Sequence, residues 1–510
     1  MRTENSIKNM LVGSVGQLLT IVLGIVSRSI FLRILSIDYL GVSGLFSSIL
    51  TMLSFAELGI GSAIVYSLYK PLAEDNQELI LSLMRAYQKI YRMIGVFVLV
   101  LGIALTPFLD FFIAHETSIP NIDTIYVLFV LNASLSYFFA YNRSLIMADQ
   151  KNYKLAGITF AFKVFHAVGP IVILLILRQY ILYLVTQICL TVIENIFVFC
   201  KVNRMYPILK QKQAQKIPPE VKATLKKNVL ALMIYKIAII CVSATDNILI
   251  SRYIGLAVVG IYQNYTLIIN NVTAVISQAI VSLTASVGNL VALEDTSRRH
   301  DIFNVIQFGN FWIYGLASSC FFVLLNPFIG MVFGAENILE MKTVLPIVLA
   351  AYILGMQKSV SIFRDAQGLF WQGKLRPLAQ AVVNIVASIG LYKLTNHVSA
   401  IFWGTVICRI TTSFWFDPYI VYKHSLHQPL RSYFIRYTIY TAVMIISTAS
   451  VYYIGNVITV GIPTLSSFFI KFVLCIVIVN GMYYLLFRKT KEFAYLWNVA
   501  KNTLKRIGRR

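Results

Sequence analysis

Long apolar runs follow one another along most of the chain, and short polar segments separate them. Charged residues, proline or glycine bound the runs, whose length is close to the roughly 20 residues that an α-helix needs to cross a bilayer. Fourteen spans are predicted: Asn9–Ile34, Gly41–Tyr69, Tyr91–Leu109, Thr124–Met147, Leu155–Leu177, Tyr180–Cys200, Val229–Tyr253, Val258–Val287, Phe308–Val332, Val344–Phe363, Leu375–Leu394, Val398–Tyr419, Tyr433–Ile454 and Leu465–Phe487. We therefore expect an all-α integral membrane protein with about 14 transmembrane helices.

The chain also contains an internal repeat. At an offset of 219 residues, Lys8-Asn9 recurs as Lys227-Asn228, Arg33 as Arg252 and Gly41 as Gly260; at 220, Gly95 recurs as Gly315, Pro107-Phe108 as Pro327-Phe328 and Lys154-Leu155 as Lys374-Leu375. The order and near-constant spacing of these matches indicate a duplication. Each copy holds six spans, an even number, so both copies enter the membrane in the same direction. Parallel repeats about an axis along the membrane normal are a transporter architecture, with the substrate site between the halves.

The repeat and the polar segments divide the chain into five parts. These are an N-lobe of spans 1–6 (residues 1–205), a basic cytoplasmic connector (206–227), a C-lobe of spans 7–12 (228–424), two peripheral C-terminal spans (425–488) and a basic amphipathic tail (489–510). In the tail, apolar residues recur at helical spacing: Phe493, Leu496, Trp497, Ala500, Leu504 and Ile507. We expect this tail to lie as a helix on the inner leaflet.

Basic residues outnumber acidic ones, with 44 Lys and Arg against 21 Asp and Glu and a net charge of +23. In a chain that is 58% hydrophobic, this excess indicates anionic membrane lipids and an anionic substrate as partners, not nucleic acid. Most basic residues fall on one side of the membrane, and the positive-inside rule then places both termini in the cytoplasm. The cysteines lie in apolar runs without a CxxC motif or a histidine cluster, so no metal site and no cofactor is expected.

Polar residues at membrane depth are costly unless they face protein or water, so they are candidates for a transport path. The 219-residue offset aligns Gln17 with Lys236 and Arg28 with Asn247. The candidates for binding substrate in a central cavity are Arg28, Lys236, Lys163, Arg409, Gln17, Asn247, Thr51 and Asn270. The alternative is that the hydroxyl and amide groups join helices and that the cations snorkel to the membrane surface.

Three acidic residues share the predicted membrane interior: Glu57, Glu194 and Asp246. They are candidates for a gate or for binding a coupling proton or cation, and the alternative is that they neutralise the deep cations structurally. Arg28 and Asp246 lie at nearly the same predicted depth on spans 1 and 7. We expect them to form an ion pair that helps to close the outer side of the transporter.

Enzyme activity is not expected. Gly368–Lys374 has the GxxxxGK spelling of a phosphate-binding loop, but Leu375 stands where a Ser or Thr would bind Mg²⁺, and no strand precedes it. The loops between spans are short, whereas a glycan polymerase or ligase usually presents a large outer loop.

Four segments carry a resemblance to a known family. They are YLGVSGLFSSILTMLSFAELGIGSAIVYSLYKPLAE (Tyr39–Glu74), TDNILISRYIGLAVVGIYQNY (Thr245–Tyr265), SLTASVGNLVA (Ser282–Ala292) and FRDAQGLFWQGKLRPLAQAVVNI (Phe363–Ile385). The chain resembles bacterial polysaccharide repeat-unit flippases of the multidrug/oligosaccharidyl-lipid/polysaccharide exporter superfamily. The resemblance implies two pseudo-symmetric six-helix lobes with two peripheral helices, and it supports Arg28 and Lys236 as cavity residues.

The resemblance further implies a flippase of the bacterial plasma membrane. Its substrate would be an undecaprenyl-pyrophosphate-linked oligosaccharide, moved from the inner to the outer leaflet by alternating access for capsule or exopolysaccharide assembly. A glycan polymerase and glycosyltransferases would be partner enzymes. The alternatives are the same fold exporting a teichoic-acid precursor, a peptidoglycan precursor or a drug, and a membrane scaffold for glycan-assembly enzymes.

Overall fold

The structure is a computed structural model. It describes residues 19–57, 60–114, 119–211, 219, 244–293, 296–367, 369, 372–373 and 375–507. Within these ranges the chain is α-helical with short 3₁₀ and π turns, and they contain no strand. The predicted all-α class is confirmed.

Ten helices begin before residue 264 in the described part of the chain. In order they are α1 (19–34), α2 (Ile37–Leu53), α3 (Ile60–Ala73), α4 (Gln77–Ala104), α5 (Leu109–Phe112), α6 (Ile122–Ala148), α7 (Ala156–Leu177), α8 (Tyr180–Met205), α9 (244–253) and the start of α10 (Leu256–Leu293).

Ten further helices begin after residue 264 in the described part of the chain. They are α11 (Thr296–Phe333), α12 (Met341–Met356), α13 (Lys358–Ala366), α14 (Arg376–Thr395), α15 (Ser399–Thr411), α16 (Ser413–Val421), α17 (Arg431–Ile458), α18 (Thr464–Leu474), α19 (Asn480–Phe487) and α20 (Lys491–Ile507). A π turn, Cys475–Val479, joins α18 to α19.

Within the described residues, each predicted span coincides with one helix or with two successive helices; residues 9–18 of the first span and 229–243 of the seventh lie outside the described residues. In the described part of the chain, nine helical segments are long and apolar enough to cross a membrane, and Ile37–Leu53 is a shorter apolar helix. The second predicted span is divided by a 3₁₀ turn at Ser54–Glu57. The third begins earlier than predicted, because Asn76 caps α4 by accepting a hydrogen bond from the backbone of Leu79 at 3.0 Å.

The helix boundaries repeat at the offset found in the sequence. Starts at residues 37, 77, 122, 156 and 180 recur at 256, 296, 341, 376 and 399. These pairs are 219 or 220 residues apart, so the duplicated sequence also produces duplicated helix positions. One difference is that α4 ends at Ala104, before Pro107, whereas α11 continues through Pro327 to Phe333.

The chain divides into two compact units, residues 1–263 and 264–510. The first unit has two apolar clusters, one centred on Phe46 of α2 and Tyr126 of α6, whose rings are 4.9 Å apart, and one around Tyr87 of α4. The second unit has an aromatic core in which Phe311 of α11 stacks on Tyr440 of α17 at 4.5 Å.

Helix α20 forms as the tail sequence predicts, and part of it packs on protein. Phe493 stacks on Trp312 of α11 at 5.7 Å, and Leu496 reaches Gly309 of the same helix. Glu492 pairs with Arg436 of α17 at 2.5 Å. Trp497 is 61% exposed, so part of the apolar face of α20 is not covered by the described protein.

Candidate functional site

The predicted site residues fall into three groups. Gln17 and Lys236 lie outside the described residues. Arg28, Thr51, Lys163, Asp246 and Asn247 belong to the unit of residues 1–263, together with Glu57 and Glu194. Asn270 and Arg409 belong to the unit of residues 264–510.

Arg28 of α1 is held by a backbone carbonyl. Its Nη1 donates to the carbonyl oxygen of Gln263 in α10 at 2.6 Å. Tyr183 of α8 is near enough to interact with the guanidinium electrostatically. A guanidinium carries five donors in a fixed fork, so one bond to a carbonyl leaves donors that can serve an anion.

Asn247 of α9, the repeat equivalent of Arg28, makes a related contact through a second side chain. Its Nδ2 donates to Ser48 Oγ of α2 at 2.8 Å, and Ser48 Oγ donates to the carbonyl of Gly44 at 2.9 Å. Gly44 is the equivalent of Gln263 at the 219-residue offset. The long arginine side chain therefore reaches its carbonyl directly, and the short asparagine reaches the matching carbonyl through a hydroxyl.

Two further candidates lie close in sequence to this hydrogen-bonded pair: Asp246 precedes Asn247, and Thr51 follows Ser48 by three residues. Asp246 is 6% exposed on α9, next to Asn247 in the chain. Thr51 is exposed on α2, and its hydroxyl donates to the carbonyl of Ser47 at 2.6 Å. The gate between Arg28 and Asp246 stays a prediction; in this structure Arg28 contacts the Gln263 carbonyl.

Glu57 lies among tyrosines in the first unit. It is within hydrogen-bonding reach of Tyr91 of α4 and Tyr137 of α6. Both tyrosines belong to the apolar cluster around Tyr87. Two tyrosine hydroxyls therefore lie beside this carboxyl group.

Glu194 of α8 has a different environment. It accepts a short hydrogen bond from Arg143 of α6, and its Oε2 is 3.4 Å from Nε2 of His166 on α7. Lys163 lies on α7 one helical turn before His166 and is half-buried. Glu194 and Lys163 were predicted from the sequence, whereas Arg143 and His166 were not. The three-residue spacing between Lys163 and His166 is the signal that would have identified His166.

In the second unit, Arg409 of α15 forms a hydrogen bond with a neighbouring helix. Its Nη1 donates to the carbonyl of Ala350 in α12 at 2.7 Å. Asn270 of α10 is exposed, and its carbonyl accepts from Thr273 Oγ1 at 3.1 Å.

A further ionic network in the second unit was missed by the sequence analysis. Asp417 of α16 has a side chain only 3% exposed; it pairs closely with Arg376 of α14 and lies 3.5 Å from Arg364 of α13. Arg364 also pairs with Asp365 at 2.9 Å. Two cations are balanced by two anions, and only Asp365 is substantially exposed, so the four residues indicate a structural junction between α13, α14 and α16.

A groove along α4 combines charge with apolar surface. It has a volume of about 820 Å³. Its lining comprises Arg85, Gln88, Lys89, Arg92, Met93, Val96, Phe97 and Val100. Lys89 and Arg92 are exposed at the cationic end, and Met93 is 63% and Val100 59% exposed at the apolar end. One helix face therefore offers positive charge followed by a lipid-compatible surface.

No protein-family model matches the chain, and no curated protein matches it in sequence. Solved structures do share its architecture. The lipid II flippase MurJ in an inward-closed conformation has a TM-score of 0.62 at 14% identity, with 93% of this chain and 98% of that chain covered. An inward-facing multidrug-resistance transporter of the MATE family in the MOP superfamily has a TM-score of 0.57 at 13% identity, covering 80% and 98%. The chain has the fold of these transporters.

A third structure agrees with this conclusion. The Vibrio cholerae MATE transporter VcmN, in a mutant form, has a TM-score of 0.58 at 12% identity and covers 84% of this chain. These neighbours are transporters and a flippase, not enzymes. The predicted all-helical membrane fold is therefore confirmed, and the chain is a multi-pass membrane protein with a transporter-type fold.

Proposed function

We propose that this protein is a flippase for undecaprenyl-pyrophosphate-linked oligosaccharide repeat units. It moves them from the inner to the outer leaflet for capsule, exopolysaccharide or related cell-surface glycan assembly. The mechanism is alternating access, as the transporter fold suggests. The fold supports a transporter; the identity of the cargo rests on the chemistry of the α4 groove.

The α4 groove carries the proposal because its two ends suit the two ends of such a lipid. Lys89 and Arg92 are one helical turn apart, and the apolar residues continue along the same face. Arginine binds phosphate through its planar fork, and lysine binds it as a point charge. An isoprenoid chain gains the hydrophobic free energy of contact with exposed Met93 and Val100, which a water-soluble cargo would not need.

The proposed topology puts the groove where the substrate is made. With the N-terminus in the cytoplasm, two spans precede α4, so the cationic end of the groove lies near the inner leaflet. The N- and C-termini are then both cytoplasmic, and the membrane is the bacterial plasma membrane. Glycosyltransferases on the inner side and a glycan polymerase on the outer side are the expected partner enzymes.

Deep polar residues then serve the translocation path. Stripping water from a pyrophosphate and from sugar hydroxyls costs several kcal/mol per group unless protein groups replace that water. We assign this role to Arg28, Lys236, Lys163, Arg409, Gln17, Asn247, Thr51 and Asn270. Asp246, Glu57 and Glu194 are assigned to gating or ion coupling.

A peptidoglycan lipid precursor is the second candidate cargo. The likeness to the lipid II flippase MurJ, which covers 93% of this chain, favours it. A cationic drug suits the chain less well, because exposed cations line the α4 groove. Both lipid cargoes use the same cationic and apolar surfaces, so sugar selectivity distinguishes them.

Lipid binding to the purified full-length protein tests the proposal. Native mass spectrometry should show retention of undecaprenyl pyrophosphate over undecaprenyl phosphate, and of both over undecaprenol. Lys89→Gln with Arg92→Gln should weaken retention of the pyrophosphate at least about tenfold, the effect of losing about 1.4 kcal/mol. Lys393→Gln with Arg488→Gln removes the same charge elsewhere and should have little effect. Equal retention of the pyrophosphate and the alcohol would contradict the proposal.

A further inference from the structure

A second pocket adjoins the α4 groove, on the side away from the apolar end of that groove. It has a volume of about 410 Å³, within the range of roughly 300–1,000 Å³ that is usual for small-molecule sites. Arg85 and Gln88 line both the pocket and the groove, so the two are continuous along α4. We name it the amide pocket, after Gln88, Asn142 and Asn203 in its lining.

Hydrogen bonds between α4, α6 and the turn after α8 hold one wall of the amide pocket in place. Gln88 Nε2 donates to the hydroxyl of Tyr141 at 2.8 Å, and Gln88 Oε1 accepts from Arg85 Nη1 at 3.2 Å. Arg85 Nη2 donates to the carbonyls of Leu209 at 3.2 Å and Gln211 at 2.7 Å. These side chains are ordered before a ligand arrives, which reduces the entropy that binding costs.

Helix α8 supplies an aromatic ring and an amide to another wall. Phe199 and Asn203 are four residues apart, so they share one face of the helix, and both are half-buried. The ring of Phe199 packs edge-to-face against Phe139 of α6 with centroids 6.0 Å apart, which fixes its orientation. A pyranose sugar has an apolar C–H face and hydroxyls around its edge, and a ring and an amide one turn apart match these two surfaces.

The chemistry of the lining favours a ligand that is rich in hydroxyls and lies next to phosphate. An amide donates through its NH₂ group and accepts through its carbonyl, so it can bond a hydroxyl in either direction. The described residues that line the pocket include the cations Arg85 and Lys210 and no carboxylate. A phosphate joined to the ligand would therefore meet attraction and not repulsion at this pocket.

The order of surfaces along α4 identifies the ligand more closely. Apolar residues occupy the face from Met93 to Val100, the cations Lys89 and Arg92 come next, and the amide pocket follows. At 1.5 Å per residue, Arg85 lies roughly 6 Å and 10 Å along the helix axis from these two cations. A lipid-linked oligosaccharide has the same order: isoprenoid, pyrophosphate, sugar. We propose that the amide pocket binds the sugar that is joined to the pyrophosphate, an inference that rests on the proposed function.

Such a site gives the protein a means of selecting its cargo by the first sugar. With the N-terminus in the cytoplasm, the pocket lies on the cytoplasmic side of Lys89 and Arg92, where the sugar of an inner-leaflet lipid extends. A site built to hydrogen-bond a hydroxyl discriminates strongly against a ligand that lacks it, because its polar groups are then left unpaired. Asn203 and Phe199 are therefore specificity-determining residues, and selection precedes translocation.

Native mass spectrometry of the purified full-length protein measures the contribution of the sugar. The probes are undecaprenyl pyrophosphate and the same lipid carrying a single glucose, galactose or N-acetylglucosamine. At least one sugar-bearing lipid should bind about fivefold or more tightly than the bare pyrophosphate. Asn203→Ala and Phe199→Leu should each reduce this advantage at least about threefold and leave retention of the bare lipid unchanged.

Matched variants on the same helix are the controls. Asn195→Ala and Phe197→Leu change the same residue types outside the pocket, and both should keep the sugar advantage. The Tm of each variant is measured, so that a loss of binding is not mistaken for a loss of fold. Two pocket variants of different chemistry also make it unnecessary to rely on either one alone.

The possible failures separate the pocket from the proposed function. If the bare pyrophosphate is preferred over undecaprenol but every sugar-bearing lipid binds no better than the bare one, the sugar site is overturned and the proposed function stands. If Asn203→Ala weakens the bare lipid as much as the sugar-bearing lipid, the pocket binds phosphate and the sugar assignment is wrong. No preference for the pyrophosphate over undecaprenol contradicts the proposed function and this inference with it.

Discussion

Gly41 and Gly260 make reciprocal contacts where α2 crosses α10. A Cβ atom on Gly41 would overlap the carbonyl oxygen of Leu256, and a Cβ atom on Gly260 would overlap the carbonyl oxygen of Ile37. Ile37 and Leu256 are themselves equivalent at the 219-residue offset. The duplicated sequence therefore produces a pseudo-symmetric crossing in which glycine permits close approach of two backbones.

Substitution at this crossing should destabilise the protein. Gly41→Ala and Gly260→Ala each force the two helices apart, and overpacking of this kind typically costs about 1–3 kcal/mol. Thermal unfolding in detergent or nanodiscs should show a lower Tm for both variants. Gly390→Ala is the control, because a Cβ there meets nothing within 4 Å. A wild-type Tm for Gly41→Ala would show that the crossing is not made in the resting protein.

The hydroxyl bridge at Ser48 should contribute measurable stability. Ser48→Ala leaves Asn247 Nδ2 without its partner and removes the bond to the Gly44 carbonyl. The expected loss is about 1 kcal/mol in the free energy of unfolding. The adjacent Ser47→Ala, at an exposed position, should change it by much less. Equal effects at the two serines would mean that the bridge contributes nothing specific.

The fold could be predicted from the sequence because its signals are long and repeated. Apolar runs of membrane-spanning length mark the helices, and a near-constant offset marks the duplication. Both signals extend over many residues, so a misassigned residue at one position does not change the predicted fold. The interruptions were less predictable. The turn at Ser54–Glu57 lies inside an apolar run, and the π turn at Cys475–Val479 has no polar residue to mark it.

The site was harder to predict, because contacts between distant helices decide it. Charge and depth identified Arg28 and Glu194, but spacing could not reveal the Gln263 carbonyl or Arg143 as their partners. Arg28 meets a backbone carbonyl, which sequence does not reveal, and Glu194 meets Arg143, 51 residues away in the chain. Asp417 was overlooked because its two arginine partners come from other helices.

The buried network at Asp417 should be essential for stability. Asp417→Ala leaves Arg364 and Arg376, whose side chains are 8% and 9% exposed, without their shared carboxylate. Breaking a buried pair by removing one partner typically costs about 3–5 kcal/mol. Detergent-solubilised variants should show a large fall in Tm or in yield of folded protein. Asp365→Ala, whose side chain is 42% exposed, is the matched control, and an equal loss for both would contradict the assignment.

Docking of α20 should depend on pH. Burial of Glu492 has the largest single effect on its pKa and opposes the charged form. The hydrogen bond and charge of Arg436, a backbone hydrogen bond and the charge of Lys491 together outweigh burial and hold the pKa of Glu492 below its ordinary value of 4.5. A lowered pKa means that the pair stabilises docking above the ordinary value and that this stability is lost as pH falls through the lowered pKa. Hydrogen exchange of α20, corrected for the intrinsic rate, should accelerate as pH falls below about 4.5. Glu492→Gln should remove this acceleration, and the control Glu78→Gln should retain it. Wild-type exchange of α20 that stays equally protected down to pH 3 would contradict the role of the Glu492–Arg436 pair in docking.

Translocation in reconstituted vesicles tests the flippase proposal most directly. A fluorescent undecaprenyl-pyrophosphate-linked oligosaccharide is placed in one leaflet, and its arrival in the other is followed with a membrane-impermeant quencher. The account predicts translocation by the wild-type protein and at least about a tenfold slower rate when Arg28→Ala is combined with Lys236→Ala, the effect of about 1.4 kcal/mol on the barrier. Lys393→Gln with Arg488→Gln should translocate normally. No translocation by folded wild-type protein, or an unchanged rate in the Arg28→Ala, Lys236→Ala variant, would contradict the cationic-path mechanism.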